Sequence, residues 1–176
     1  ALSDPALDHV MSSERIAWYQ LQLASLTGLD QPLSDGLARL QMLHPEWAPS
    51  GGLSWRGIPN EAPNVGVCVD GIMSTLTAWA LTDDPLWLER AQWYAHIGLQ
   101  YVLATDLPGA VGTRYGVTTA IASTDAGQSL LGTVSDAHGV GLARAYLALD
   151  LADPGASWGI VAEGIIDKER PASDPA

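Results

Sequence analysis

The sequence predicts an all-α fold built from repeated antiparallel helix pairs. Three observations support this prediction. Apolar residues recur at three- and four-residue spacing in several stretches, 47% of the residues are apolar against 16% charged, and Asp-Pro corners separate neighbouring stretches. The helix pairs are expected at about residues 13–44, 71–104 and 135–166. They form a single domain over residues 1–166, followed by a polar tail, 167–176.

The first pair is predicted from helical spacing and from its end signals. Its first helix runs from about Ser13 to Thr27 and ends at Gly28, the usual residue after a helix. Four apolar residues at helical spacing predict its buried face: Ile16, Tyr19, Leu23 and Leu26. Leucines at the same spacing predict the partner helix from Leu33 to about His44.

The second and third pairs share a plan, in which a glycine at the start of one helix precedes an Asp-Pro corner into the next. In the second pair Gly71 starts the helix, and Asp84-Pro85 provides an N-cap followed by a proline in the first turn. In the third pair a helix from Ser135 or Asp136 to Ala152 leads to Asp153-Pro154. Repetition of such units indicates stacked helix pairs, with loops that gather on one face.

Two long segments interrupt the pairs. Residues 45–63 are rich in proline and glycine, which disfavour both helix and central strand. Residues 106–133 are rich in Gly, Thr and Ser, and their composition allows a short β-hairpin around residues 115–121. A simple bundle with long connectors is the alternative, but loops of this length are uncommon without a function.

Charge and cysteine content exclude several classes of protein. A net charge of −12 disfavours binding to nucleic-acid phosphates and to anionic lipid surfaces, so a cationic or neutral partner such as a peptide is expected. The single cysteine, Cys68, excludes an internal disulfide and a Cys-rich zinc site. No apolar run of membrane-spanning length and no signal peptide are recognised, so a cytoplasmic location is expected.

Two stretches carry a resemblance to a known family. Residues 66–91 (GVCVDGIMSTLTAWALTDDPLWLERA) and 136–154 (DAHGVGLARAYLALDLADP) resemble repeats of the lanthionine synthetase C-like proteins. The resemblance implies an α/α toroid, here partial or reduced. It also implies thioether (lanthionine- or labionin-type) ring formation, in which a peptide cysteine thiolate attacks a dehydrated Ser or Thr. The implied partners are a precursor peptide, kinase and lyase domains of the same synthetase, and a second copy of the chain.

The chain differs from the zinc-dependent members of that family in its possible metal ligands. Those members hold the metal with two cysteines and one histidine, and this chain has only Cys68. The resemblance is therefore to the branch of cyclase domains that lack these ligands, so no metal and no cofactor are expected. Cys68 itself, between two valines, has the surroundings of a small buried apolar residue.

Three polar residues at predicted helix starts are the candidate catalytic groups: His138, Asp136 and Asp70. A histidine with an ordinary pKa of about 6.5 can deprotonate a thiol or protonate an enolate. Asp70, directly before Gly71, is either a capping carboxylate or an acid/base partner of His138. For His138 the alternative is a capping or partly buried side chain.

Residues in the two long loops are the candidate peptide-binding groups. Trp47 and Trp55 can stack on a ligand, and Arg56 and Arg114 can pair with its anionic groups. Tyr115, next to Arg114 in the sequence, is a further candidate. Surface ion pairs are the alternative for both arginines. Loop aromatics also suit sugar rings.

Three functions are compatible with these residues. The first is a zinc-independent lanthipeptide cyclase. The second is an α/α-toroid glycoside hydrolase or lyase that uses Asp70 and Asp136 as paired carboxylates. The third is a non-catalytic domain that binds a peptide for a partner enzyme.

Overall fold

A computed structural model gives the three-dimensional structure of four stretches of the chain. It describes the backbone of residues 13–43, 65–105, 114–117 and 136–169, and the side chains of these residues except 103–105, 114–117, 136–138 and 168–169.

Six α-helices account for most of the described residues, so the all-α prediction is confirmed there. The helices are α1 Ser13–Thr27, α2 Asp30–Met42, α3 Val65–Thr82, α4 Pro85–Gly98, α5 Asp136–Ala152 and α6 Trp158–Glu169. Two short strands, β1 Val102–Thr105 and β2 Arg114–Val117, form an antiparallel hairpin. Short 3-10 turns follow α4, at Leu99–Tyr101, and precede α6, at Pro154–Ala156.

The helices pack as three successive pairs, α1 with α2, α3 with α4 and α5 with α6. The first helices of the pairs also pack on one another, because α3 contacts both α1 and α5. We call α1, α3 and α5 the inner helices. One hydrophobic cluster joins the second and third pairs, and a smaller one joins α1 and α2 to Ala78 and Trp87 of the second pair.

The second pair differs from its predicted bounds at both ends. Helix α3 begins at Val65 rather than Gly71. The β-branched residues Val65 and Val67 lower helix propensity, but both are buried, and burial in the core outweighs a weak local preference. Helix α4 ends at Gly98, not near Ala104, because residues 102–105 pair with 114–117 as a β-hairpin.

The apolar composition of α3 reflects its central position in the fold. Among the described residues it is the one helix with the length and the apolar content needed to cross a membrane, with a mean hydropathy of 1.4. Core helices of water-soluble proteins also meet this criterion, and 61% of this helix is buried inside the protein.

The predicted core face of α1 is wrong except at Ile16. Tyr19 and Leu23 are 46% and 42% exposed, and Leu26 is 84% exposed. Small residues such as Ala17 and Ala24 face the core instead, because they let α1 approach its neighbours closely. Ile16 and Leu21 are buried with these alanines, whereas Tyr19, Leu23 and Leu26 are left on the free face of the helix.

The predicted start of α4 is confirmed in detail. The Oδ1 of Asp84 accepts a hydrogen bond from the backbone N–H of Leu86 at 3.0 Å, and Pro85 is the first helical residue. Asp83, just before the cap, has a positive φ of 55°. The chain therefore reverses sharply between α3 and α4, which makes the two helices antiparallel neighbours.

Candidate functional site

A buried group of ionisable side chains lies where the N-terminal halves of α1 and α3 meet α4. Its members are Glu14, Arg15, Cys68, Asp70 and Tyr94, and we call this group the acid cluster. Glu14 is 7% exposed, Asp70 2%, and Cys68 and Tyr94 are fully buried. Carboxyl groups are rarely buried to this degree unless they are paired or carry a proton. The acid cluster is therefore the candidate functional site.

Asp70 is held by an arginine from the neighbouring inner helix. The Nε of Arg15 donates to Oδ1 of Asp70 at 3.1 Å and to Oδ2 at 3.0 Å. The Arg15 side chain is 35% exposed, so it forms the side of the cluster that is open to solvent. This ion pair joins α1 to α3.

The capping role predicted for Asp70 is wrong. Helix α3 starts at Val65, so Asp70 lies in the second turn, where the backbone N–H groups are already bonded within the helix. Its carboxylate points instead across the interface to Arg15. The sequence therefore identified a residue of the cluster, but from an incorrect helix start.

Glu14 is the buried acid of the cluster whose pKa is raised to near neutral pH. Burial raises its pKa from 4.5 to about 7, and the negative charge of Asp70 raises it further, whereas hydrogen bonds to its own backbone and to Tyr94 lower it. The Tyr94 hydroxyl donates to Oε1 of Glu14 at 3.2 Å. At neutral pH both protonation states of Glu14 are therefore populated.

The other two buried groups are held in their protonated forms. Burial raises the pKa of the Tyr94 hydroxyl, and the nearby Glu14 charge adds to this effect. Burial also raises the pKa of the Cys68 thiol, again with a contribution from Glu14. Cys68 is therefore a neutral buried thiol rather than a ready nucleophile.

A glycine in α3 allows Tyr94 to reach Glu14. A Cβ atom added at Gly71 would come closer than 3.0 Å to the ring of Tyr94. The absence of a side chain at this position lets the aromatic ring lie directly on the helix backbone. The position of the hydroxyl group beside Glu14 therefore depends on Gly71.

Helix α5 lies next to the cluster on the other side of α3. A Cβ atom on Gly141 would be 3.9 Å from the side chain of Val69, the residue before Asp70. The guanidinium of Arg144 lies 5.9 Å from the centre of the Trp18 ring, so it bridges α5 and α1. The indole nitrogen of Trp18 is buried and has no hydrogen-bond partner. Side chains of all three inner helices thus converge at this end.

The other predicted site residues are placed only in part. Asp136 and His138 lie in the first turn of α5, and their side chains lie outside the described residues. The separation of the Asp70 and Asp136 carboxyl groups is therefore not described. Arg114 and Tyr115 lie on β2, opposite Thr105 and Ala104, and this strand packs against α6. Trp47, Trp55 and Arg56 lie outside the described residues.

Sequence reasoning missed Glu14, Arg15 and Tyr94. Glu14 and Arg15 are in the first turn of a helix, where a charged residue is ordinarily a solvent-exposed partner of the helix dipole. A weak signal existed, because Glu14 is only two residues from the apolar Ile16 and begins the face that Ala17 and Leu21 continue into the core. Nothing in the spacing indicates that Tyr94, 80 residues away, meets it.

The described side chains contain no group of three His, Cys, Asp or Glu residues arranged to hold a metal ion. Comparisons of the chain with protein-family models, curated proteins and solved structures found no match.

Proposed function

We propose that the chain is a lanthipeptide cyclase-like domain that closes thioether rings in a precursor peptide without zinc, and that Glu14 moves the proton. The observation that supports this most directly is the Glu14 carboxyl group, with a pKa of about 7 inside the inner-helix layer. A group with a pKa near the working pH can both accept and return a proton. The sequence resemblance provides the reaction class, and the acid cluster provides a proton carrier.

The reaction is an addition that balances without an oxidant or a reductant. The Glu14 carboxylate takes the proton from a peptide cysteine thiol. The thiolate sulfur then bonds to the β-carbon of a dehydrated Ser or Thr, and the π electrons of the broken double bond form an enolate. The protonated Glu14 returns the proton to the α-carbon, which leaves the thioether and regenerates the carboxylate.

The neighbours of Glu14 have positioning roles in this proposal. The Tyr94 hydroxyl donates to Oε1 of Glu14 and so orients the carboxyl group. Arg15 pairs with Asp70 beside it. Burial, with a smaller contribution from the Asp70 charge, raises the pKa of Glu14 so that it can return the proton. The peptide approaches from the side of Arg15, whose side chain is the part of the cluster open to solvent.

His138 and Asp136 remain part of the proposal as a second acid/base pair. They lie in the first turn of α5, and the next turn of that helix contacts α3 beside Asp70. The residues proposed to contact the peptide are Trp47, Trp55 and Arg56 of segment 45–63 and Arg114 and Tyr115 of β2.

The test uses a synthetic peptide that contains one dehydroalanine and one cysteine. Ring closure is followed by alkylation of the remaining free thiol and mass spectrometry, with the reaction without protein subtracted. Glu14→Gln keeps the shape of the side chain but cannot carry the proton, so we expect ring closure to slow by roughly 100-fold. Glu163→Gln, at an exposed position on α6, is the matched control and should leave the rate unchanged.

A non-catalytic peptide-binding domain is the second candidate, and the free faces of the inner helices favour it. Several large apolar side chains lie exposed there, including Tyr19 and Leu23 on α1 and Val140 and Leu147 on α5. If the parent protein binds the peptide but closes no rings above the reaction without protein, the cyclase proposal is wrong and this second function stands. If ring closure is unchanged in both Glu14→Gln and His138→Ala, the proton-carrying role of Glu14 is wrong.

A further inference from the structure

An apolar groove runs between the C-terminal halves of α3 and α5, away from the acid cluster. It is lined by Met73, Leu76, Trp79 and Ala80 of α3 and by Ala148 and Leu151 of α5, among others. Its volume is about 360 Å³. This is within the range of roughly 300–1,000 Å³ that is typical of binding pockets.

The lining offers few polar groups to water or to a ligand. Thr77 also lines the groove, and its hydroxyl already donates to the backbone oxygen of Met73 at 2.7 Å. Leu151 stands at the rim with 84% of its surface exposed, and Ala80 is exposed opposite it on α3. Covering this surface would remove apolar area from water, which is the main source of binding energy for a groove of this kind.

Three aspartates and two helix C-termini lie at one end of the groove. Asp83 and Asp84 directly follow the end of α3, and Asp153 directly follows the end of α5. The C-termini of both helices point to this end, and a helix C-terminus carries a partial negative charge. No lysine or arginine is among the residues that line the groove.

We propose that this groove binds a cationic amphipathic helical segment of a polypeptide. The apolar face of that helix, with side chains at three- and four-residue spacing, fills the groove between α3 and α5. Its lysine or arginine residues extend past the groove to the carboxylates at the ends of the two inner helices. Naming this polypeptide as the peptide to be modified rests on the proposed function, whereas the binding itself does not.

The test measures binding of two labelled helical peptides to the full chain by fluorescence anisotropy. Both peptides have the same leucine face; one has lysines and the other glutamates at the remaining positions. The lysine peptide should bind, with an affinity that falls as salt is raised, and the glutamate peptide should bind at least tenfold more weakly.

Two equally exposed leucines provide a matched pair of variants. Leu151→Ser removes the apolar rim of the groove and should weaken binding of the lysine peptide by about tenfold. Leu26→Ser changes a leucine that is also 84% exposed but lies on α1, and it should have no effect. Neither leucine is buried, so both variants should fold.

A second pair of variants tests the charge. Asp83→Asn removes one carboxylate at the end of the groove, and asparagine tolerates the positive φ at this position. Glu163→Gln makes the same change in net charge at an exposed position on α6. Binding of the lysine peptide should weaken about threefold in the first variant and stay unchanged in the second.

The proposal is overturned if Leu151→Ser and Leu26→Ser bind the lysine peptide equally, because binding would then reflect only the net charge of −12. It is also overturned if the glutamate peptide binds as well as the lysine peptide. Either result leaves the ring-closure test of Glu14 unaffected, since that test depends on a different site and a different measurement.

Discussion

At the scale of single residues, environment determines the chemistry of the acid cluster more than residue type does. Glu14 and Asp70 are both buried carboxylic acids in the inner-helix layer. Asp70 is hydrogen bonded by Arg15, whereas Glu14 has a neutral tyrosine as its partner and the negative Asp70 as a neighbour. The two carboxyl groups therefore differ: Asp70 is the partner of an arginine, whereas burial brings the pKa of Glu14 to about 7.

The raised pKa of Glu14 predicts a specific dependence of stability on pH. The folded-state pKa is about 7 and the unfolded value 4.5, so between these values the unfolded chain releases a proton that the folded chain keeps. The contribution of Glu14 is fully present below pH 4.5 and is lost as the pH rises to about 7. Over the whole window this amounts to roughly 3 kcal/mol.

Urea unfolding between pH 5 and pH 8 measures this effect above the isoelectric point of about 4.4. The free energy of unfolding of Glu14→Gln should rise relative to the parent protein across this range, because glutamine does not ionise. Glu163→Gln should follow the parent at every pH. Parallel curves for Glu14→Gln and the parent would show that Glu14 titrates normally in the folded state.

At the scale of elements, tertiary contacts determine where helix α3 starts and why it contains a glycine at position 71. It contains a run of valines that are poor helix formers, and it starts six residues before the glycine that predicted its first turn. Gly71 proves to be a contact residue rather than a helix start, since the Tyr94 ring packs on it. Gly141 in α5 has no comparable close contact.

This difference predicts opposite effects for the same substitution in two helices. Gly71→Ala should destabilise the protein by about 1–3 kcal/mol, because the added methyl group overlaps the Tyr94 ring. Gly141→Ala should stabilise it by about 0.5–1 kcal/mol, because alanine favours the helix and its methyl group meets Val69 at an ordinary distance. Thermal and urea unfolding of both variants check the two signs, and stabilisation by Gly71→Ala would contradict the packing described here.

At the scale of the whole molecule, the described helix pairs depend on one central helix. Helix α3 contacts α1, α4 and α5, and most of its residues are buried. Helix α2, by contrast, has only Gly36 and Leu40 buried. The free energy of local opening should therefore be highest in α3 and lower in α2.

Hydrogen exchange followed by mass spectrometry tests this ranking. Amide groups of α3 should exchange only through global unfolding, because opening this helix would break its contacts with three others. Amide groups of α2 should exchange faster, through local opening. Equal protection of α2 and α3 would mean that the first pair does not open independently.

The sequence by itself determined the helix pairs and several of their ends. Helical spacing, Gly28 after the first helix and the Asp84-Pro85 corner are local signals, and the structure has helices that end or begin at these places. Local signals are reliable here because capping and turn formation involve residues close together in the chain. The start of α5 at Asp136 was predictable for the same reason.

Only the tertiary structure decided which faces are buried and which polar groups meet. The large apolar residues of α1 predicted the wrong face, because alanines permit the closer approach to α3. Asp70 was expected to act near the start of its helix, but the contacts of Asp70 with Arg15 and of Glu14 with Tyr94 span 55 and 80 residues. Such contacts leave no periodic signal, since they depend on how whole helices pack and not on local spacing.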